Sequence, residues 1–328
     1  MAALNDTPAA LTRRRLLSGA AAALGSAGLA SACGALRREP GASALAGAPG
    51  TGVMPLFEIS LAQWSLHRAL QSGALAHHDL PRVTRERYGL GAIETVNSFY
   101  KDKVADFAYL RDFKARCDDH GVRHLLIMID GEGQLAHPDA AARRDALERH
   151  HRWVAAAAFL GCHAIRVNAG GGVQRELAAQ HASESLGRLA RFAEPYGVSV
   201  LVENHGGFSS DGGWLAGVLA GADHPGVGSL PDFGNFRIDG DTEYDRYLGV
   251  QQLMPFAKAV SAKSHDFDAR GFERHTDYLR MLRLVLAAGY RGHVGIEYEG
   301  SSLDEDAGIR ATLALLQHVR DELAPEFA

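Results

Sequence analysis

The chain has no surplus of positive charge. Its 34 lysines and arginines are outnumbered by 39 aspartates and glutamates, for a formal net charge of −5. Proteins that bind nucleic acid neutralise phosphates with lysine and arginine, so this balance argues against a nucleic-acid partner. Cysteine is scarcer still. Cys33, Cys117 and Cys162 are the only three in 328 residues, and none stands at metal-ligand spacing from another. That excludes a thiolate zinc centre and leaves Cys117 and Cys162 expected as buried free thiols. Long apolar runs are missing too. The Ala-rich stretch near the N-terminus is broken by Gly19, Gly25 and Gly28, and it is too short and too small-sided for a spanning helix.

That stretch has another use. Arg13, Arg14 and Arg15 follow Thr12 and precede Leu16 and Leu17, and the Ala-rich run comes after them. The pattern resembles a twin-arginine export signal. Ala-Ser-Ala before Cys33 fits a signal-peptidase site. Leu29 stands four residues before Cys33, one more than a lipoprotein box has, so a lipid anchor at Cys33 stays open beside simple cleavage. The expectation is a leader over residues 1–33 and export by the twin-arginine route, giving a periplasmic protein or a membrane-anchored lipoprotein. Residues 34–53 are rich in Gly, Ala and Pro without an apolar period and read as a flexible linker.

From residue 54 onward, short apolar runs alternate with longer amphipathic stretches. LFEISLAQW, GAIETVN, RHLLIMID, HAIRVNAG, VSVLVEN, GVGSLPDFGN, KAVSAKSHDF and HVGIEYEG are the strand candidates, with a helical pattern after each. Examples are Asp139 to Leu160 and Gln174 to Tyr196. Eight strand-helix units over 54–328 predict one α/β domain, a (β/α)8 barrel. A doubly wound open sheet is the alternative, but it calls for a glycine fingerprint after the first strand, and QWSLHRAL has none.

In such a barrel the chemistry lies at the C-terminal strand ends. Those ends hold Gln63 and Trp64, Glu94 and Asn97, Asp130, Arg166 and Asn168, Glu203 and His205, Asp232 and Asn235, Lys263 and His265, and Glu297 and Glu299. Glu203, Asp232, His265 and Glu297 follow one another at steps of 29, 33 and 32 residues, each one strand-helix unit. Three carboxylates and an imidazole on one rim suit a single divalent ion: manganese, magnesium, cobalt or zinc. Trp64, Glu94, Arg166, Asn168 and Asn235 are candidate substrate contacts, with Phe99 and Trp214 joining Trp64 as an apolar wall. NAGGGV, residues 168–173, lacks the Lys-Ser/Thr of a nucleotide loop and reads as a rim loop.

VENHGG, LPDFGNF, AKSHDFD and GIEYEG together resemble the xylose-isomerase-like barrel superfamily, in its sugar isomerase and epimerase branch. The resemblance covers residues 56 to about 320. It implies that Glu203, Asp232, His265 and Glu297 hold the ion, and that Glu203 and Glu297 also move the substrate proton. Strand seven departs from the pattern. The family usually shows His-x-Lys or His-x-His there, with the ligand early in the strand, and this chain has Ser261, Lys263 and His265. Either His265 reaches back to the ion, which is the preferred reading, or three carboxylates hold it and Lys263 or His265 does something else.

The expected activity is proton transfer through an enediolate on a carbohydrate or keto-sugar, which isomerises or epimerises it. Glu203, Glu297, His205 and Lys263 are the candidate catalytic residues. A keto-glycoside lyase or hydrolase on the same site and a non-catalytic carbohydrate-binding barrel are the rivals. A multi-zinc nuclease of the same superfamily is disfavoured by the net charge and the single histidine among the ligands. Metal identity, substrate and self-association into an oligomer are left open.

Overall fold

The computed structural model describes residues 55–327. The arginines at 13–15, Cys33 and the segment 34–53 lie outside the described residues. Eight strands follow in order: β1 (Glu58–Ala62), β2 (Ala92–Val96), β3 (Arg123–Met128), β4 (Ala164–Val167), β5 (Ser199–Glu203), β6 (Val227–Leu230), β7 (Val260–Ser264) and β8 (His293–Tyr298). They form one parallel sheet in the order β6-β5-β4-β3-β2-β1-β8-β7. The register between β1 and β8 runs from Glu58 opposite His293 to Leu61 opposite Ile296. β6 and β7 meet only through isolated parallel bridges, Ser229 with Ala257 and Asp232 with Ser261. The architecture is the expected single-domain (β/α)8 barrel.

Local chemistry explains why the alternation was readable. Asp106, Asp139, Asp211, Asp245 and Asp277 each cap a helix N-terminus, accepting from backbone N–H groups of its first turn. Each such cap is worth about 1 kcal/mol. The longest of these helices, Ala140–Leu160, ends at Gly161, whose φ of 82° suits a residue without Cβ. Among the described residues no helix is long and apolar enough to cross a membrane. Cys117 and Cys162 are free and buried.

The strands feed two cores with period 2. Ile93, Ile127, Ile165, Val200, Val202, Val260, Val294 and Ile296 pack outward with the helices. Ala62, Val96, Leu126, Met128, Ala164, Leu201 and Leu230 fill the barrel interior. This alternation aims the site. Arg166, Glu203 and Asp232 each lie two residues beyond an inner-core residue, Ala164, Leu201 and Leu230, and so point into the barrel mouth. On β7 and β8, Ser261, Lys263 and Glu297 alternate with the outward-facing Val260, Ala262 and Ile296. All six of these inward residues are buried.

Candidate active site and metal centre

Glu203, Asp232 and Glu297 converge at the mouth. One ligand atom from each lies within 4.8 Å of the other two, and all three side chains are buried. Among the described residues this is the one acidic, histidine or cysteine group gathered closely enough for a metal ion. Isolated like charges at that separation could not all stay ionised in a dry interior. Two cations offset them. Arg166 Nε lies 2.8 Å from Glu203 Oε2, and Lys263 Nζ lies 3.3 Å from Glu297 Oε1. If all are charged, one negative charge remains in excess.

Neutral donors fix the carboxylates. Asn235 Nδ2 donates to Glu203 Oε1 at 2.8 Å, while Lys263 Nζ donates to Asn235 Oδ1 at 3.2 Å. Asp232 Oδ1 accepts from the backbone N–H of Gly234 and Asn235. Ser261 Oγ stands 2.7 Å from Asp232 Oδ2 and 2.9 Å from Glu297 Oε2. A hydroxyl has one proton, so it can donate to only one of those oxygens at a time. Asn204, just past β5, donates to the backbone carbonyl of Asp232 and accepts from its N–H, locking the β6 end against the β5 end.

The charges respond to burial and to one another. Burial pushes Glu203 up to about 8, with Arg166 pulling the other way, and pushes Asp232 up to about 6 against the pull of Lys263. Burial also acts to raise Glu297, but Lys263 and Arg166 outweigh it and hold that carboxyl below its ordinary value. Lys263 loses solvation too, yet Asp232, Glu297 and Glu203 more than compensate and keep it charged.

The triad passes a chemical test for a hard cation. Glu203 Oε2 is buried and has no hydrogen-bond donor, because Arg166 Nε, although close, is misaligned for one. Three carboxylates form an all-oxygen donor set of the kind that manganese or magnesium takes.

His265 is not part of this group. β7 ends at Ser264, and beyond it the chain leaves the strand direction. The His265 ring is partly exposed, with Nε2 3.9 Å from Glu299 and the ring edge-on to His275. The expectation that His265 completes a four-residue ligand set is therefore corrected: the geometry gathers three carboxylates and leaves the imidazole outside. Glu94 also needs correcting as a rim contact. It lies two residues short of the β2 end, below Val96, where Oε1 accepts from Ser60 Oγ at 2.6 Å. It is fully enclosed, and burial pushes it up to about 7.

The other expected contacts do reach the mouth. Asn168 and Arg166 both donate to Asp130 Oδ1 at 2.8 Å. Trp64 and Phe99 pack together over the inner core, with ring centroids 5.9 Å apart. Trp214 does not join them. It is buried, it packs on Phe208, and its indole N–H donates to the Arg175 carbonyl. A cavity of about 620 Å³ opens beside the triad, lined among others by His205, Asn235, Arg246, Lys263 and His265. His205 is exposed there.

Two residues noted at the strand ends without a role of their own take part. Ser261 lies 29 residues after Asp232, the same step that separates Glu203 from Asp232, and that spacing points to its place beside the carboxylates. Glu299, 3.5 Å from Lys263 Nζ, is a second anchor for the ammonium, signalled only by sharing a strand face with Glu297.

Residues 85–319 match the model of the family described as xylose isomerase-like TIM barrel. Comparison with curated protein sequences finds no match. Among solved structures, a D-psicose 3-epimerase determined in the presence of D-fructose aligns at 13% identity and TM-score 0.59, covering 80% of this chain and 99% of that one. A 3-keto-D-glucoside 4-epimerase from E. coli aligns at 17% identity and TM-score 0.62, again covering 80% and 99%. The IolI protein, solved with a bound zinc atom, aligns at 14% identity and TM-score 0.63, covering 81% and 99%. At these identities the likeness is one of fold.

Proposed function

Because the chain belongs to the xylose isomerase-like TIM barrel family, we propose that it is a sugar isomerase or epimerase, moving a proton on a carbon next to a carbonyl. The observation that carries this reading is the pairing of Glu203 and Glu297. They face one point of the mouth from β5 and β8, fully buried, each backed by its own cation, Arg166 or Lys263.

That arrangement suits a two-carboxylate proton transfer. One glutamate takes the proton from the substrate carbon and the other returns one; return to the same carbon epimerises, and return to its neighbour isomerises. Arg166 and Lys263 place fixed positive charge where negative charge would grow on the substrate oxygens, in a site shielded from water. Asn235 bonds to both Glu203 and Lys263 and holds the acid-base pair in place. Trp64 and Phe99 offer an apolar face for a sugar ring, and the cavity beside Asn235 and Lys263, which neither ring lines, is of small-molecule size. A divalent ion, manganese or magnesium in preference to zinc, would be held by Glu203, Asp232 and Glu297, where it supplies Lewis-acid charge that polarises a carbonyl.

The test is exchange with solvent. Protein, divalent metal and a panel of ketoses, aldoses and keto-sugars are incubated in deuterated water. Deuterium should enter the carbon next to the carbonyl. Release of an aglycone or of water alongside would move the reading to a lyase. Sugar binding without any exchange would replace the enzyme with a binding protein.

Export is proposed on the arginine motif. Replacing Arg13 and Arg14 by lysine should trap the protein in the cytoplasm, and unchanged export in a strain lacking the twin-arginine pathway would refute the route.

A further inference from the structure

We propose that Lys263 is a built-in competitor for the divalent ion, so that ammonium and ion take turns at Glu297. The inference rests on the reading of the triad as an ion site. Its starting point is what β7 contributes. Where an imidazole would add a strong ligand, Ser261 offers a neutral hydroxyl shared between Asp232 and Glu297. Two residues on, and on the same strand face, Lys263 carries a charge into the same space.

The ammonium is firmly placed. It lies 3.3 Å from Glu297 Oε1, 3.2 Å from Asn235 Oδ1 and 3.5 Å from Glu299 Oε1, and the side chain is 2% exposed. Its stem runs under Gly234, where even a Cβ would come within 3.1 Å of Lys263 Cγ and Cδ. So the stem cannot swing widely, and the ammonium is aimed at the triad. Meanwhile Glu203 Oε2, in the same cluster, is buried and makes no hydrogen bond, though Arg166 Nε lies 2.8 Å from it.

Charge then decides what happens when an ion arrives. The triad already has two of its three charges offset by Arg166 and Lys263. A dication seated on Glu297 would meet the ammonium a few ångströms away, a strong repulsion at low dielectric. Glu299 is the release. It already touches the ammonium at 3.5 Å, is more exposed than Glu297, and lies outside the triad. A short shift of Lys263 from Glu297 toward Glu299 frees the ligand oxygen without stranding the charge.

The test is Mn²⁺ binding to the chelator-stripped full chain, measured by calorimetry and by the manganese resonance signal, with no substrate present. Lys263→Met should bind Mn²⁺ at least about tenfold more tightly than wild type, and Lys263→Arg should stay weak. Glu299→Gln should weaken binding in the wild-type background and leave the Lys263→Met protein unaffected. Equal or weaker binding by Lys263→Met would overturn the proposal. So would an absence of binding in both proteins, which would remove the ion site as well while leaving the deuterium exchange to decide the enzyme reading. Should Lys263→Met fail to fold, a Mn²⁺-soaked crystal of the wild type decides: an ion on the triad with Lys263 Nζ still against Glu297 refutes competition, and the ammonium moved to Glu299 supports it.

Discussion

Arg166 Nε and Glu203 Oε2 stand 2.8 Å apart at the ends of adjacent strands, both buried, yet without the alignment of a hydrogen bond. The pair is held by charge more than by direction. Arg166 has a second partner in Asp130, at 2.8 Å, whereas Glu203 has no other cation so near.

This asymmetry predicts unequal costs. Arg166→Met leaves Glu203 without its cation and should destabilise the fold by about 3–5 kcal/mol above pH 8, where that carboxyl is ionised, and by less near neutral pH, where it keeps its proton. Glu203→Gln should cost less, since Arg166 keeps Asp130 and Asn235 can still bond to the amide oxygen. Urea denaturation of both variants measures the difference; equal costs would refute the account.

Proton transfer by two carboxylates sets a second expectation. Glu203→Gln and Glu297→Gln should each lower the rate of solvent deuterium uptake into substrate by about 10²- to 10⁴-fold, with the circular dichroism of the barrel retained. A variant exchanging at the wild-type rate would take that glutamate out of the reaction.

The position of His265 beyond the end of β7 gives a third. His265→Ala should bind as much metal as wild type, while Asp232→Asn should lose most of it. Elemental analysis of the dialysed proteins reads the result, and metal loss in His265→Ala would restore the imidazole to the ligand set.

Glu94 supplies the pH dependence. The folded protein keeps this proton up to about pH 7, whereas the unfolded chain releases it near its ordinary value of 4.5. Between those limits the folded state binds more protons, so Glu94's contribution to stability is fully present below 4.5 and is lost as pH rises through 7. Glu94→Gln removes that dependence. It should match wild type at pH 4.5 and exceed it by on the order of 3 kcal/mol at pH 8, as read from denaturation midpoints at the two values. A constant difference across pH would sink this assignment.

Much of this was legible before any coordinates. The apolar runs alternating with amphipathic stretches marked the eight units, and the steps of 29 to 33 residues marked the rim. What misled was depth. Period 2 tells which face a residue takes, and Glu94 does face inward. But how far along its strand a residue must lie to reach the mouth depends on the stagger between strands, and β2 carries a register shift between Ile93 and Glu94. His265 failed for a related reason: the alternation holds only while the strand lasts, and β7 stops one residue earlier. The cation partners Arg166 and Lys263 were visible as strand-end residues, but pairing them with particular carboxylates depends on side-chain reach across strands. The Asp232–Ser261 approach lies on the β6–β7 junction, and only the 29-residue step between the two residues points to it.

That junction has a mechanical meaning. Every other neighbouring pair of strands is laced by a ladder, while β6 and β7 touch at single bridges, one of them joining Asp232 to Ser261. The barrel is therefore a hoop whose open ends are fastened at the point where its charges are gathered. Whatever balances those charges, whether a lysine or an ion, acts at the seam where the ring of strands is least laced.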